Sequence, residues 1–377
     1  MPRLRHARDE TPAGAPPSRW VGPALQRTMR HQPTIRRQQQ TRGFLHSRAR
    51  QWACLLLVLP WLVAVPAGAE PLPVVRIGVL KFGTVNWELD VIARHGLDRA
   101  HGFALEPTEL AGKDGAAVAL QGGAVDVILT DWLWVAKRRA LGGDFTFAPH
   151  SHATGGLMVR RDAAIKGIAD LKGRKIGIAG GPVDKSWLVL RAYAKKTAGL
   201  DLTRDAEPLF AAPPLLNEIL KRADIPAAIN FWQYNARLPE PDYFELVRVE
   251  DMLPALGVPP QTPLLGWVFS EAWAAKYPAV VRGFLAAAKA ARETLAASPD
   301  EWQSIAPLVH ADDAPMLGRL RQAYRRGISD AEADARASDP ADAAQRLLEL
   351  LTVFGGIDEA PPGGRVPRGT FFPASPS

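Results

Sequence analysis

The stretch Lys175-Ile-Gly-Ile-Ala-Gly-Gly-Pro-Val-Asp-Lys-Ser-Trp187 admits few folds. It reads as a short buried strand (Ile176–Ala179), a glycine turn at Gly180 and Gly181, and a helix opened by Pro182 and Asp184 that runs on through Leu188–Thr197. A strand with apolar residues on both faces, passing straight into a helix, is the unit of a parallel sheet covered by helices. Its turn leaves backbone N–H groups unpaired at the positive end of a helix dipole, where anions are commonly held. Ligands of open α/β sheets sit at the carboxyl ends of the strands. The expectation is therefore that this turn lines a ligand cleft, its glycines letting a ligand approach the backbone. An unoccupied strand–helix turn has the same look, so its neighbours must decide.

The same grammar recurs. Val74–Leu80 is an apolar strand, and Asn86 is the expected N-cap of a helix over Trp87–His95. Phe103–Leu110 returns as strand, Asp114–Gln121 is a helix closed by Gly122-Gly123, and Val125–Leu129 is a buried strand. Thr130-Asp131 then leads into the helix Trp132–Leu141. Beyond the polar stretch His150–Gly156 a second block follows: strands at Gly155–Val159, Ile176–Ala179, Glu207–Ala211, Ala227–Asn230 and Tyr243–Val249, with a helix at Pro214–Arg222 and a helical turn at Phe231–Arg237. Glu271–Ala297 reads as one long helical region, with further helices at Asp300–Val309, Ala314–Arg326 and Ala341–Leu351. No internal repeat at a fixed period is expected. Two α/β lobes with a cleft between them is the economical arrangement, and such clefts are favoured ligand sites.

Charge and cysteine exclude several functions. The formal charge of +7 points to nucleic acid until its location is considered. Residues 1–69 hold 11 of the 46 basic residues and 2 of the 39 acidic ones, so the remainder is close to neutral. No nucleic-acid partner is expected. The single cysteine, Cys54, falls in the leader, which removes a disulfide framework, a cysteine metal site and a thiol nucleophile from residue 70 onward. Residues 1–50 are Arg-, Pro- and Gln-rich and expected to be disordered. Trp52–Val65 is an apolar run followed by Ala67-Gly68-Ala69: the pattern of a secretory signal peptide cleaved after Ala69.

Gly78-Val-Leu80, Gly122-Gly-Ala-Val-Asp-Val-Ile128, Gly156-Leu-Met-Val159, Ile168-Ala-Asp-Leu-Lys-Gly-Arg-Lys-Ile-Gly177 and Glu271-Ala-Trp-Ala-Ala-Lys-Tyr-Pro278 carry a resemblance. In that order they resemble the periplasmic solute-binding proteins of ABC importers, specifically the nitrate/sulfonate/taurine and thiamine-precursor (NMT1/THI5-like) group. The resemblance spans about Val74 to Gly327. It implies a two-lobed, type II periplasmic-binding-protein-like α/β fold, closure on a small-molecule ligand, and docking on an ABC permease. The lobes are expected at residues 70–153 with 262–355, and at 154–261, followed by a disordered tail over 356–377; a monomer is expected. The segment Ala223-Asp-Ile-Pro-Ala-Ala-Ile229 departs from the family's Gly-x-Asp-Ala.

Four turns are expected to meet in the cleft: Lys81–Trp87, Thr130–Trp134, Gly180–Trp187 and Asn230–Tyr234. Each carries tryptophan, a flat apolar wall able to stack a ring or face a cation. The candidate ligand-binding residues are Phe82, Asn86, Trp87, Thr130, Asp131, Trp132, Thr154, Gly180, Gly181, Asp184, Lys185, Ser186, Trp187, Asn230, Trp232 and Tyr234. A tryptophan in a first helical turn also packs on its own sheet, and Asp131 and Asp184 also fit as N-caps. His150 and His152 lack a third ligand at suitable spacing, so no metal and no cofactor is expected. Ser186 lies in no nucleophile motif. The expectation is a non-catalytic binding protein whose hinges lie near Ser151–Gly156 and Leu264–Val268. The rival is an enzyme of the thiamine-pyrimidine-synthase type, which the cysteine-free chain beyond the leader disfavours.

Overall fold

The computed structural model describes residues 71–373 apart from Ala153, Gln261, 335–338 and 355–359, and only the backbone of 329–334. The expected signal peptide and its cleavage point lie outside the described residues. The first lobe begins with β1 (Val74–Leu80), α1 (Val85–His95), α2 (Leu97–Ala100), β2 (Ala104–Leu110), α3 (Lys113–Gln121), β3 (Val127–Thr130), α4 (Trp132–Ala140) and β4 (Phe145–Ser151). The chain crosses at 152–154 into the second lobe. That lobe holds β5 (Gly155–Arg160), β6 (Lys175–Ala179), α5 (Lys185–Ala198), β7 (Glu207–Ala211), α6 (Pro213–Lys221), β8 (Ala227–Phe231), α7 (Trp232–Asn235), β9 (Tyr243–Arg248) and α8 (Val249–Leu256). It returns as β10 (Leu265–Ser270), which runs through the first sheet. Helices α9 (Glu271–Lys276), α10 (Pro278–Ala297), α11 (Pro299–Ser304), α12 (Ala306–Val309), α13 (Ala314–Asp334) and α14 (Pro340–Phe354) follow.

Each lobe is one five-stranded sheet, in the order β2-β1-β3-β10-β4 and β7-β6-β8-β5-β9. In each, the strand that enters from the other lobe is the antiparallel one: β10 pairs antiparallel with β3 and β4, and β5 with β8 and β9. The strands β1 and β3, and β6 and β8, are parallel neighbours, so their carboxyl ends stand side by side. The expected helical region Glu271–Ala297 is divided into α9 and α10 at Tyr277-Pro278, because proline cannot donate and its ring clashes with the preceding turn.

The lobes repeat at a separation of 100 residues, a period the sequence reading did not find. Helices α3 and α6 begin at 113 and 213. Trp87 and Trp187 are each the third residue of their helix, and Trp132 and Trp232 each the first. Few side chains are shared at matching positions, so spacing rather than identity carries the repeat.

Two segments depart from the expected domain plan. Helix α14 packs on α5 of the second lobe, and its Ala344, Leu347, Leu348 and Leu351 lie in a buried cluster drawn from both lobes. Fully burying a leucine is worth about 1.5–3 kcal/mol, which suffices to hold an amphipathic helix there. The described part of the expected disordered tail is packed. Phe147 N–H donates to Thr370 O (2.8 Å) and Phe372 N–H to Phe147 O (2.9 Å), while Phe371 and Phe372 lie against Phe147 and Phe269. Two phenylalanines in a Pro- and Gly-rich segment supply the anchor that its composition hid.

Candidate functional site

The carboxyl ends of β1, β3, β6 and β8 carry the four turns singled out in the sequence, and side chains bridge them across the lobes. Gln233 Nε2 donates to Phe82 O (3.3 Å), and the rings of Trp87 and Trp232 meet edge to face at 5.8 Å. Lys113, at the start of α3, places Nζ 2.5 Å from Asp184 Oδ2, at the start of α5. Sequence reasoning missed Lys113, because nothing local distinguishes it from a solvated first-turn lysine.

Asp184 is the N-cap of α5 and accepts Ser186 N–H at 2.9 Å. Burial alone would raise its carboxyl, but the charges of Lys113 and Lys185 outweigh that and hold it below the ordinary aspartate value. Burial would likewise lower Lys113, but Asp184 and Asp131 hold it above the ordinary lysine value. Lys185 is different. It is 6 % exposed, makes no hydrogen bond or ion pair with a described residue, and is pushed down by burial and by the charge of Lys113. Beside it, the buried Ser186 Oγ also has no partner.

The glycine turn also serves the helix cap. Gly180 has φ +82°, and a Cβ there would run into the Asp184 carboxylate. The turn makes room for the protein's own cap, and Gly181 (φ +93°) completes it. The helix N-terminus is thus already occupied by a carboxylate, which leaves Lys185 and Ser186 as the unpartnered donors.

The tryptophans differ in burial. Trp132 is 1 % exposed and covered by Phe371. Trp187 is 1 % exposed, with Phe210 at its edge and Arg191 over its face. Trp87 is buried between Trp302 and Trp232. Trp232, by contrast, lines both a pocket of about 30 Å³ and a cavity of about 660 Å³. Asn86 is not the N-cap of α1, a place taken by Thr84; its amide donates to Leu80 O instead. Asn230 is consumed internally by Pro213 O, Asn217 and Phe231 N–H. Asp131 caps α4 by accepting Trp134 N–H at 3.1 Å. Phe82 is exposed, Tyr234 is half-buried under Arg237, and Thr130 is buried. Thr154, at the crossing beside the end of β8, is buried with Oγ1 unpartnered.

Under Trp232 the small pocket exposes a polar network that the sequence reading also missed. Glu88 Oε1 accepts from Tyr324 Oη at 2.9 Å, and its Oε2 lies 3.2 Å from His150 Nε2. Arg292 donates to His150 O. Burial would raise the Glu88 carboxyl, but His150, Arg292 and Tyr324 hold it below the ordinary glutamate value, while burial and Glu88 push the Tyr324 hydroxyl well up. A signal was present: Glu88 is flanked by Trp87, Leu89, Val91 and Ile92, on the apolar face of α1. Among the described residues no group of three or more His, Cys, Asp or Glu side chains is placed to hold a metal, and no helix is long and apolar enough to cross a membrane.

This two-lobed α/β architecture is that of periplasmic solute-binding proteins. The periplasmic aliphatic sulphonate binding protein SsuA from Escherichia coli matches with a TM-score of 0.59 at 19% identity, over 81% of this chain and 95% of that one. The alkanesulfonate-binding protein SsuA from Xanthomonas axonopodis pv. citri, bound to MOPS, matches at 0.59 and 17%, over 81% and 100%. A putative periplasmic sulfonate-binding SsuA from Methylobacillus flagellatus KT matches at 0.55 and 14%, over 81% and 92%. Residues 145–302 of this chain match the NMT1/THI5-like family model. No curated protein sequence matches the chain.

Proposed function

We propose that the protein is the solute-binding component of an ABC importer, acting in the periplasm as a monomer without catalysis. It captures a small organic molecule between its lobes and docks transiently on a membrane permease. The observation that carries this reading is Lys185: a lysine desolvated at the junction of two lobes, with Ser186 Oγ beside it and neither one partnered. Burial and the charge of Lys113 outweigh the pull of Asp184 and Asp131 on Lys185, and a ligand carboxylate, sulfonate or phosphate would relieve that cost on closure. Trp232, which lines a small pocket at the end of the neighbouring strand β8, would supply a flat wall for the rest of the ligand, and Thr154 Oγ1 a further polar contact. The sulfonate named for the structural relatives fits the anionic end, and Trp232 favours a ligand larger than a bare inorganic anion.

The test begins with mass spectrometry of the compound released from native protein, followed by calorimetric titration with it. A charged hydrogen bond contributes roughly 1.5–3 kcal/mol, so Lys185→Met is expected to weaken binding on the order of 10–100-fold. Trp232→Ala is expected to weaken it as well. Trp132→Ala and Trp187→Ala should lower the melting temperature instead and leave affinity nearly unchanged in the folded fraction. Unaltered affinity in Lys185→Met would defeat the reading.

A further inference from the structure

The C-terminal segment touches both lobes. Helix α14 lies on α5 of the second lobe, and buries Ala344, Leu347, Leu348 and Leu351. The chain beyond it first ties back to α14: Gln345 Nε2 donates to Gly364 O (3.2 Å), and Val366 N–H donates to Gln345 Oε1 (2.8 Å). Two residues later it is bonded to the first lobe, where Arg139 Nε of α4 donates to Arg368 O at 2.8 Å. Thr370 and Phe372 then bracket Phe147 of β4 with backbone hydrogen bonds, and the Phe371 ring wedges between Phe147 and Trp132. Phe372 packs on Phe269 of β10 at 5.1 Å.

We infer that α14 and residues 364–372 form a strap that fastens the second lobe to the first and keeps the ligand-free protein near its closed arrangement. The argument is one of slack. Val366 is held by the second lobe's helix and Arg368 by the first lobe's, and an extended chain spans at most about 3.3–3.6 Å per residue. Two residues therefore tolerate a separation of only about 7 Å between those anchors. A hinge motion that draws α5 and α14 away from α4 by more than this must break the Gln345–Val366 bonds or pull Phe371 from its slot. Opening is thus coupled to loss of a packed aromatic contact, not left to the two crossings alone. Elsewhere polar bridges also join the lobes, among them Lys113 with Asp184, Gln233 with Phe82 O, and Arg237 with the carbonyls of Val309 and His310.

The test measures interlobe distance without any ligand. In the full chain carrying Cys54→Ser no native thiol remains. Val118→Cys on α3 and Val183→Cys before α5, both exposed, take spin labels on opposite sides of the Lys113–Asp184 bridge. Double electron–electron resonance on the strap-intact protein is expected to give one narrow distance distribution. The pair Phe371→Ala and Phe372→Ala should add a longer-distance population, and ending the chain after Asp339 should make that population dominant. Gln345→Ala, which removes two bonds and little packing, should give a smaller shift in the same direction and remains informative if the shortened chain does not fold. Far-UV circular dichroism establishes which variants are folded. Identical narrow distributions in the folded variants overturn the strap, as does a broad distribution already present in the intact chain.

Discussion

Trp132 and Trp232 occupy the same place in their lobes, each opening the helix that follows a central parallel strand, yet one is sealed and the other faces open space. The difference lies in what the rest of the chain brings. Phe371 lies on Trp132, whereas Trp232 meets Tyr324 at 6.0 Å and keeps a side uncovered. The same contrast runs through the first turns of α1 and α5. Thr84 caps α1 without a side-chain bond where Asp184 caps α5 and pairs with Lys113; Glu88 is buried where the second lobe has Leu188. Repeated topology fixes where turns and helix ends fall, and the unmatched side chains at those places decide which lobe supplies charge and which supplies packing.

Making the lobes alike at these positions tests that division. The largest effect is expected from Glu88→Leu, which gives the first lobe the second lobe's residue. It leaves the Tyr324 hydroxyl and the His150 ring nitrogen facing no acceptor. Removing one partner of a buried ionic network costs about 3–5 kcal/mol, read as a shift in the denaturant midpoint. A loss below about 1 kcal/mol would mean that the network is replaceable packing.

Two buried glutamates then separate the lobes by pH. Glu250, in the first turn of α8, is raised to about 7, chiefly by burial, with Arg248 at 3.5 Å too weak an offset. Glu88 is lowered. For Glu250 the folded value exceeds the unfolded one of 4.5, so its contribution is complete below about pH 4.5 and lost as pH rises through about 7. For Glu88 the folded value is the lower, so its contribution is present above about pH 4.5 and lost as pH falls through the folded value. Glu250→Gln should flatten the pH profile between 4.5 and 7 and stabilise the protein at pH 8 by about 2 kcal/mol, allowing for the side chain's partial contact with solvent. An unchanged slope over that window would remove Glu250 as its source.

Asp184→Thr gives the second lobe the first lobe's cap. The threonine hydroxyl can still accept Ser186 N–H, but Lys113 and Lys185 lose their carboxylate. Because about a third of Lys113 is in solvent, the expected loss is about 1–2 kcal/mol at neutral pH. Asp184 sits below its ordinary 3.8, so this advantage over the variant is present above about pH 4 and disappears as pH falls through the folded value. Equal stability of both proteins at pH 7 would show that the bridge is ornamental to the fold.

How far the sequence anticipates all this follows from what each feature depends on. The strand–turn–helix order was legible because both faces of Ile176–Ala179 and Val74–Leu80 are apolar and the helix ends carry local signals, Asp131 and Asp184 among them. The site was only half legible. Trp132 and Trp232 look alike locally, and a contact 239 residues away, from Phe371, buries one of them. Lys113, Arg292 and Tyr324 belong to helices whose own patterns are ordinary, so their convergence on Asp184 and Glu88 is tertiary information. The glycine turn stands out in the sequence, but that Gly180 leaves room for a carboxylate four residues ahead is visible only in the fold.

The smallest expected effect concerns the turn where this chain departs from the family pattern. After α3 the turn uses Gly123 at φ +70°; after α6 the equivalent residue is Ala223 at φ +65°. Both turns make the same bonds, Gly123 N–H to Leu120 O and Ala223 N–H to Leu220 O at 3.1 Å, then Ala124 N–H to Ala119 O and Asp224 N–H to Ile219 O. The departure therefore leaves the geometry intact and stores strain in the alanine, since a left-handed conformation costs an L residue roughly 1–2 kcal/mol. Ala223→Gly recovers that, less the added freedom of glycine in the unfolded chain, for a net gain of about 0.5–1 kcal/mol. A Cβ at Gly123 would meet nothing within 4 Å, so Gly123→Ala should lose the same amount through backbone strain alone. Exchanging both residues should then leave the melting temperature where it began. A melting temperature that falls in Ala223→Gly would mean that the second lobe has adapted to its alanine, and that the two turns are alike only in outline.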